Sequence, residues 1–267
     1  MAGMRPIGVF DSGVGGLTVV RALSGRLPGE EIVYFGDTAR VPYGTKSAQL
    51  VIKYSMQIAR FLQKFEVKLI VVACNTASAL ALDYLADSLP IPVVGVIVPG
   101  AEAACRMTGT SRVGVIGTPS TVRSRAYERE IKRIDPRVDV TSAACPLFVP
   151  IVEAGYSKHP AARLIAEDHL KPVLDAGIDT LVLGCTHYPL LKGLISDVAG
   201  DSVTLVDSGE AAAEAVERAL EQCGLAESGG KPRHRFYSSD TDSVTVEVAR
   251  RFLGVPVEFE LVEIERY

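Results

Sequence analysis

Lys68-Leu-Ile-Val-Val-Ala-Cys-Asn-Thr-Ala-Ser78 is an apolar, β-branched run that ends in a cysteine and continues into small polar residues. A short run of this kind predicts a buried strand, and the helix-like segment at residues 78–88 predicts a helix soon after it. Ligands of open α/β sheets bind in the loops beyond the carboxyl ends of the strands. Cys74 stands in such a loop, so its surroundings are the first place to look for chemistry.

The same alternation of strand and helix continues in both directions from this stretch. Strands are predicted at residues 7–10, 31–35, 68–73, 93–97, 112–116, 138–142, 180–183, 202–206, 235–238 and 257–262. Helices are predicted at residues 17–27, 47–65, 78–88, 121–134, 161–176, 189–199, 209–222 and 241–253, with a polar, glycine-rich loop at 227–232. Strands that alternate with helices of this length predict an α/β fold with a parallel sheet.

A second cysteine follows a strand that matches the first. Thr180-Leu-Val-Leu-Gly-Cys185 lies over Leu69-Ile-Val-Val-Ala-Cys74 at an offset of 111 residues, and a threonine follows each cysteine within two positions. Two further matches are Ile7-Gly-Val-Phe10 with Val113-Gly-Val-Ile116 at an offset of 106, and Pro92-Val-Val with Val203-Thr-Leu at 111. Any two α/β domains share a rhythm of strand and helix, but the matched cysteines favour a diverged internal duplication. The fold class is therefore predicted to be α/β, with two pseudo-symmetric domains, each with a mainly parallel sheet flanked by helices, and the active site in the cleft between them.

Length, net charge and the apolar runs limit the classes of protein to which this chain can belong. A length of 267 residues suggests roughly two domains at about 150 residues each. A net charge of −4 without a cluster of Lys and Arg argues against a nucleic-acid partner. The apolar runs are too short to span a membrane and the N-terminus has no signal pattern, so we expect a soluble, cytoplasmic protein.

The cysteine count is five, at positions 74, 105, 145, 185 and 223. An odd number without a secretion signal argues against a disulfide framework, so we expect thiols. Cys105, Cys145 and Cys223 are expected to be small packing residues.

Two glycine-bearing loops follow the first two predicted strands. Phe10-Asp-Ser-Gly-Val-Gly-Gly16 resembles an anion cradle but fails the dinucleotide fingerprint, because Thr18 stands where the third glycine belongs. Asp11 in this loop is either a helix cap or an assistant to a neighbouring acid or base. In the second loop, Asp37 and Arg40 form either a surface ion pair or part of a site.

Cys74 and Cys185 each lie at the end of a predicted strand and near the start of a helix, a place that lowers the pKa of a thiol. A zinc site with His187 is disfavoured, because the chain lacks the ligand spacing and the four ligands of a structural site, so no metal is expected. A Cys-His-Asp hydrolase would need only one cysteine. Two equivalent cysteines suit a symmetric reaction such as racemisation, in which one base removes an α-proton and an acid protonates the opposite face.

At these residues the chain resembles the glutamate racemases of bacterial cell-wall synthesis, over nearly its whole length. The motifs that carry the resemblance are Asp11-Ser-Gly-Val-Gly-Gly16, Gly36-Asp-Thr-Ala-Arg-Val-Pro-Tyr-Gly44, Cys74-Asn-Thr-Ala-Ser78 and Gly184-Cys-Thr-His-Tyr-Pro-Leu-Leu191. The resemblance implies interconversion of L- and D-glutamate without pyridoxal phosphate or metal, to supply D-glutamate for peptidoglycan.

The resemblance also implies residue roles. Cys74 would act on D-glutamate with help from Asp11, and Cys185 on L-glutamate with help from His187 and Glu153. Substrate would be bound by Asp11, Ser12, Pro42, Tyr43, Gly44, Asn75, Thr76, Thr118, Thr121 and Thr186. Residues 1–97 plus 208–267 would form the domain that carries Cys74, and residues 98–207 the domain that carries Cys185. A homodimer is implied, and binding to DNA gyrase is implied by the resemblance alone.

Other functions remain open from the residues themselves. Aspartate racemase, hydantoin racemase or a related decarboxylase would belong to the same two-cysteine group, although a decarboxylase needs only one proton donor. A protein of a different class, which binds a small anion or a partner, would retain affinity without either cysteine. A pyridoxal-dependent racemase is disfavoured, because Lys46, Lys53, Lys64 and Lys68 lack a phosphate-binding context.

Overall fold

The structure, a computed structural model, describes residues 5–227 and 232–267. Four residues of the predicted loop at 227–232, residues 228–231, lie outside the described residues. The strands are β1 Ile7–Asp11, β2 Ile32–Gly36, β3 Leu69–Val72, β4 Val93–Gly95, β5 Arg112–Gly117, β6 Asp139–Ala144, β7 Thr180–Gly184, β8 Thr204–Asp207, β9 Arg235–Ser238 and β10 Glu260–Leu261. The helices are α1 Leu17–Arg26, α2 Ala48–Gln63, α3 Asn75–Ser88, α4 Ile97–Met107, α5 Pro119–Ser124, α6 Ala126–Ile134, α7 Phe148–Glu153, α8 Pro160–Asp175, α9 Lys192–Ala199, α10 Ser208–Gln222 and α11 Ser243–Leu253.

The strands form two sheets in which every pair is parallel. The first sheet has the order β10-β9-β2-β1-β3-β4 and the second β6-β5-β7-β8. Four consecutive strands of the first sheet, β2-β1-β3-β4, therefore repeat the strand order of the second. Two parallel sheets flanked by helices confirm the predicted α/β class.

The register of the strands follows the sequence match. Ile7 pairs with Leu69 in the first sheet, and Val113 pairs with Thr180, their counterparts, in the second. One predicted offset is wrong: Ile70 pairs with Val93 but Leu181 pairs with Leu205, so β8 is displaced from β4 by 112 residues rather than 111. Equal topology and register are what an internal duplication would leave.

Helices cover both faces of the sheets, which explains why the central strands read as unbroken apolar runs. Every residue of β1, β3 and β7 is buried. Burial of each Val, Leu or Ile side chain contributes about 1.5–3 kcal/mol, so these strands are fixed in place and their carboxyl ends are rigid supports.

Helix α4 was not predicted. The strand expected at residues 93–97 ends at Gly95, and the chain turns at once into α4. Pro99 is compatible with this helix because it occupies the first turn, where its missing N–H would have no partner. A Cβ at Gly100 would lie 3.1 Å from Cε1 of Tyr127, so the glycine allows α4 to pack closely on α6.

Three other helices differ from the prediction by a break or by three residues at one end. The helix expected at residues 121–134 is two helices, α5 and α6, separated by Arg125 in the left-handed conformation (φ 53°). The helix expected from residue 78 begins at Asn75, which makes Cys74 its N-cap. The helix expected at 189–199 begins as a 3-10 turn, Tyr188–Leu191, before α9.

A buried ion pair ties the start of β3 to the segment after α10. Lys68 Nζ lies 2.7 Å from Glu30 Oε2 and donates to the carbonyl of Leu225, and Glu30 also accepts from the N–H of Glu227.

Within the described residues, no helix combines the length and apolar character needed to cross a membrane.

We expect Lys68→Met to lower the free energy of unfolding by about 3–5 kcal/mol, because it leaves the buried Glu30 carboxylate without its counterion. Denaturant titration checks this value. Lys53→Met removes the same charge from an exposed position of α2 and should stay within about 0.5 kcal/mol of wild type. Equal stability of the two variants would contradict a structural role for the pair.

Candidate active site

A cavity of about 310 Å³ lies where the carboxyl ends of β3 and β7 face each other, and both predicted cysteines line it. This volume is at the lower end of the range for small-molecule sites. Of the predicted site residues, those that line the cavity are Ser12, Pro42, Tyr43, Gly44, Cys74, Asn75, Thr76, Thr118, Glu153, Cys185, Thr186 and His187. Asp11 and Thr121 do not line it and lie behind its wall. The residues that line it without having been predicted are Val41, Thr45, Pro119, Cys145, Pro146, Val149 and Pro150.

Cys74 caps the N-terminus of α3. Its Sγ accepts from the N–H of Ala77 at 3.4 Å and lies 3.5 Å from Oγ of Ser12. Burial and the nearby Asp11 carboxylate raise the pKa of the Cys74 thiol to about 12, against the opposite effect of these two hydrogen bonds. The expectation that the helix N-terminus lowers this pKa was therefore wrong, because burial outweighs the helix field. Near neutral pH Cys74 is a thiol, ready to donate a proton.

Cys185 has a different neighbour. His187 Nδ1 lies 4.0 Å from Cys185 Sγ, and His187 Nε2 lies 3.0 Å from Oε1 of Glu153. Burial lowers the pKa of His187, but hydrogen bonds with Cys185 and Glu153 oppose it and raise the pKa to about 10. His187 is thus an imidazolium near neutral pH, and its positive charge is the electrostatic partner that a thiolate at Cys185 would need.

Asp11 lies at the end of β1, beneath the loop that follows it. Its Oδ2 accepts from the N–H of Gly13 at 3.0 Å, while its Oδ1 has no hydrogen-bond partner among the described residues. Burial raises the pKa of Asp11, and the charge of His187 and the loop N–H groups partly offset that effect. The carboxyl therefore lies between the two halves of the site, coupled electrostatically to His187 and to Cys74.

Three threonine hydroxyls join the two sheets at the opposite wall. Thr76 Oγ1 lies 3.0 Å from Thr118 Oγ1 and 3.4 Å from Thr121 Oγ1, and the last two lie 3.0 Å apart. Thr76 is in the first turn of α3 and Thr118 caps α5. Two helix N-termini with hydroxyl side chains are suited to holding a carboxylate.

The loop after β2 is held by Asp37. This carboxylate is fully buried, and its two oxygens share the Nε–H of Arg40 at 2.9 and 2.8 Å. It also accepts from the hydroxyls of Tyr43 and Ser239. Of the two interpretations that the sequence left open, the simple surface pair is wrong. Asp37 anchors Tyr43, which lines the cavity.

Asn75 is oriented by a hydrogen-bond chain that sequence reasoning missed. Tyr127 OH donates to Asn75 Oδ1 at 2.7 Å, and Asn75 Nδ2 lies 3.4 Å from Ser208 Oγ, which donates to the carbonyl of Leu183. These hydrogen bonds run from α6 to α3, then to the start of α10 and the end of β7. It fixes which way the amide of Asn75 points.

Cys145 was expected to be a packing residue, and its side chain is indeed fully buried, but it also lines the cavity. Burial and the neighbouring Cys185 raise the pKa of its thiol to about 12. Cys145 directly follows β6, as Cys74 and Cys185 follow their strands, but the strand predicted at 138–142 ended too early for this position to be noticed.

Among the described residues, no group of three His, Cys, Asp or Glu side chains is arranged to hold a metal ion.

Gly15 allows the two halves of the site to approach each other. A Cβ at Gly15 would lie 2.4 Å from Thr186 Oγ1 and 2.6 Å from His187 Nδ1. We expect Gly15→Ala to displace His187 and to reduce turnover about 100-fold while the fold is retained. Gly25→Ala in α1, where a Cβ meets nothing within 4 Å, should leave turnover unchanged. Steady-state kinetics and circular dichroism of both variants check this, and full activity of Gly15→Ala would show that the contact is not needed.

The chain was compared with protein families, with curated proteins and with solved structures, and all three comparisons identify racemases. Residues 17–216 match the family model described as Asp/Glu/Hydantoin racemase. A glutamate racemase of Geobacter metallireducens is 52% identical over 94% of this chain and 93% of its own length. A solved glutamate racemase isoform from Bacillus anthracis superposes with a TM-score of 0.94 at 40% identity, over 97% of each chain. A glutamate racemase from Francisella tularensis, solved in complex with D-glutamate, has a TM-score of 0.93 at 40% identity, over 99% of each chain.

The matches with the relative and with the two solved structures cover 94–99% of the chain. With two cysteines placed at equivalent strand ends around one cavity, the chain belongs to the Asp/Glu/hydantoin racemase family.

Proposed function

We propose that the protein is a glutamate racemase that interconverts L- and D-glutamate by a two-base mechanism. The observation that carries the proposal is the placement of Cys74 and Cys185 after equivalent strands of two sheets, on the walls of one small cavity. A symmetric reaction needs one proton-transfer group on each face of Cα, and two thiols at equivalent positions supply them.

The neighbours of the two cysteines suit them to different tasks. Cys74 is a thiol and can donate a proton, whereas the reaction from L-glutamate requires a thiolate at Cys185, beside which His187 carries a positive charge. L-glutamate then loses its α-proton to Cys185, and Cys74 delivers its own proton to the opposite face. This leaves D-glutamate, a thiolate at Cys74 and a thiol at Cys185. The reverse reaction exchanges the roles, with Asp11 beside Cys74 and Glu153 behind His187.

Substrate binding is assigned to the polar groups of the lining. The threonine hydroxyls at the N-termini of α3 and α5, the amide of Asn75 and Ser12 Oγ offer donors for two carboxylates. We assign glutamate rather than aspartate as the substrate, because the relatives named above are glutamate racemases and one of them was solved with D-glutamate. Aspartate racemase remains the alternative function.

The wider role follows from the reaction. D-glutamate is the product that peptidoglycan synthesis would consume, and neither pyridoxal phosphate nor a metal is required by a two-thiol mechanism. We assign the protein to the cytoplasm, because a reducing compartment keeps both catalytic cysteines free of disulfide bonds. We assign it two domains, residues 1–97 with 208–267 and residues 98–207, and expect a homodimer.

The proposal is tested by incubating the purified protein, dialysed free of added cofactors, with L-glutamate, D-glutamate, L-aspartate and D-aspartate in separate reactions. Optical activity is followed over time. Glutamate should racemise from both sides to an equal mixture, because enantiomers have the same free energy, and aspartate should react far more slowly. Racemisation of aspartate alone would transfer the mechanism to the other substrate, and no reaction with either amino acid would overturn the proposal.

A further inference from the structure

The pair of His187 and Glu153 raises a structural question. The imidazole of His187 is buried, with 9% of its side chain exposed, whereas the carboxylate of Glu153 is 44% exposed. A glutamate with that much access to water gains little from a single hydrogen bond and loses rotamer freedom when it is held in one place. Some other part of the protein must keep Glu153 against the ring.

Helix α11 contacts both members of the pair. Phe252, which is fully buried, packs its ring edge-on against the imidazole of His187, with centroids 4.8 Å apart. Arg251, the preceding residue, donates from Nη1 to the carbonyls of Val152 and Glu153 at 3.4 and 3.3 Å. One turn of α11 therefore touches the histidine ring and the backbone that carries the glutamate.

The guanidinium of Arg251 lies at the C-terminus of the short helix α7, which ends at Glu153. The last carbonyls of a helix have no partner within the helix, and a cation at that end stabilises it. Gly155 has a left-handed backbone (φ +73°), and a Cβ there would lie 2.8 Å from Arg251 Nη1. The glycine both ends the turn and leaves room for the guanidinium.

Helix α11 is well suited to serve as a fixed support. Asp242 caps its N-terminus by accepting from the N–H of Thr245 at 2.7 Å, and Gly254 ends it in the left-handed conformation. It packs on α1, which belongs to the first sheet, whereas α7 and His187 belong to the second. Glu247, one turn earlier, lies 3.1 Å from Arg251 Nη2 and orients the guanidinium.

We propose that Arg251 and Phe252 are positioning residues for the proposed racemase reaction: they hold the last turn of α7 and the ring of His187 so that Glu153 stays bonded to Nε2 and Nδ1 faces Cys185. Neither residue lines the cavity, and both act through the pair. The proposal rests on the proposed function for its effect on catalysis, but not for its effect on the histidine itself.

The test uses Arg251→Met, which keeps the length of the side chain and removes its donors. The matched control is Arg250→Met, which removes the same charge from an exposed neighbour on the same helix. For each full-length variant, kcat and KM for glutamate are measured, and the protonation of His187 is followed by ¹⁵N nuclear magnetic resonance between pH 5 and about pH 11. Arg251→Lys, which offers one donor group to two carbonyls, is measured as the conservative variant.

The expected results separate positioning from a general effect of charge or stability. With Arg251→Met we expect kcat/KM to fall about 10- to 100-fold and the protonation midpoint of His187 to move down from about 10. The groups that face His187 are Glu153 on α7, Cys185 after β7, Asp11 on β1 and the apolar ring of Phe252. Loss of a positive charge alone would raise the midpoint, so a downward shift identifies loss of the Glu153 contact. Arg250→Met should change neither kcat/KM nor the protonation midpoint of His187. Arg251→Lys should give values between those of wild type and Arg251→Met.

The positioning role is overturned if Arg251→Met keeps the wild-type midpoint of His187 or changes no more than Arg250→Met. If Arg251→Met does not fold, as judged by circular dichroism, the same comparison between Arg251→Lys and Arg250→Met decides the question. The resonance of His187 is visible whether or not glutamate is the substrate. A wild type that does not racemise glutamate would therefore overturn the proposed function and leave this test intact.

Discussion

Replacement of either Cys74 or Cys185 by serine is expected to reduce the racemisation of glutamate by about 100- to 10,000-fold. A serine hydroxyl is a much poorer base and acid than a thiol near neutral pH, and each variant removes proton transfer on one face of Cα. Because the two enantiomers have equal free energy, kcat/KM must fall by the same factor in both directions. Kinetics from L- and D-glutamate with each variant measure this.

The matched control is Cys223→Ser, which changes the same atom at an exposed cysteine after α10. It should have wild-type kinetics. A third variant, Cys145→Ser, asks whether the remaining buried thiol of the cavity takes part, and we expect it to retain most of the activity. If either Cys74→Ser or Cys185→Ser keeps its activity, the two-thiol mechanism is wrong.

Glu153→Gln is expected to reduce kcat/KM for glutamate by about 100-fold near neutral pH. The pKa of His187 is raised to about 10 in part by Glu153, against the lowering effect of burial. Without the carboxylate, only Cys185 still opposes the effect of burial, so the ring becomes neutral at a lower pH. The thiolate that the proposed mechanism requires at Cys185 would then lack a counterion.

The pH profile gives this prediction its sign. In wild type, His187 carries its charge below about pH 10 and loses it as the pH rises through that value, so kcat/KM should fall on this alkaline side. In Glu153→Gln the same fall should begin at lower pH. Glu167→Gln alters an exposed glutamate whose surface pair with Arg163 contributes little, and its profile should match wild type. An unshifted profile for Glu153→Gln would show that His187 does not depend on this carboxylate.

The strand-end loops were predictable because the sequence carries their periodicity and their cysteines. The buried strands that precede Cys74 and Cys185 are unbroken apolar runs, and the matched pairs Ile7–Leu69 and Val113–Thr180 occur in the structure at the same register. Local pattern is sufficient where every residue of a strand is buried on both faces.

Other features depend on tertiary packing and have no local signal. Helix α4 contains Pro99 and Gly100, two residue types that usually disfavour a helix. Pro99 is tolerated in the first helical turn, and Gly100 allows close packing against Tyr127. Arg125 breaks a helix in the left-handed conformation without a glycine or proline to announce it.

The site shows the same limit. Sequence pattern pointed to the loops that carry Cys74 and Cys185, whereas the assisting roles of Asp11, His187 and Glu153 were implied only by the family resemblance. The contact between Glu153 and His187 joins residues 34 positions apart, and it exists only because α7 is packed beside the loop after β7. Burial of Cys74 reversed the pKa shift that its position at a helix N-terminus predicted. Desolvation depends on all the elements around a group, so it cannot be read from the group's own neighbours in sequence.

In the proposed mechanism two different groups act on opposite faces of Cα, and hydrogen isotope exchange in D₂O distinguishes this from a mechanism with a single base. The enzyme is incubated with L-glutamate, the reaction is stopped at a few per cent conversion, and deuterium at Cα is measured separately in each enantiomer; D-glutamate is then examined in the same way. Two thiols predict a product that carries solvent deuterium in every molecule, because the donating thiol has already exchanged with D₂O, and a remaining substrate that carries little. Product that retains the original α-proton would mean that a single base moved it from one face to the other, and the two-thiol mechanism would then be wrong.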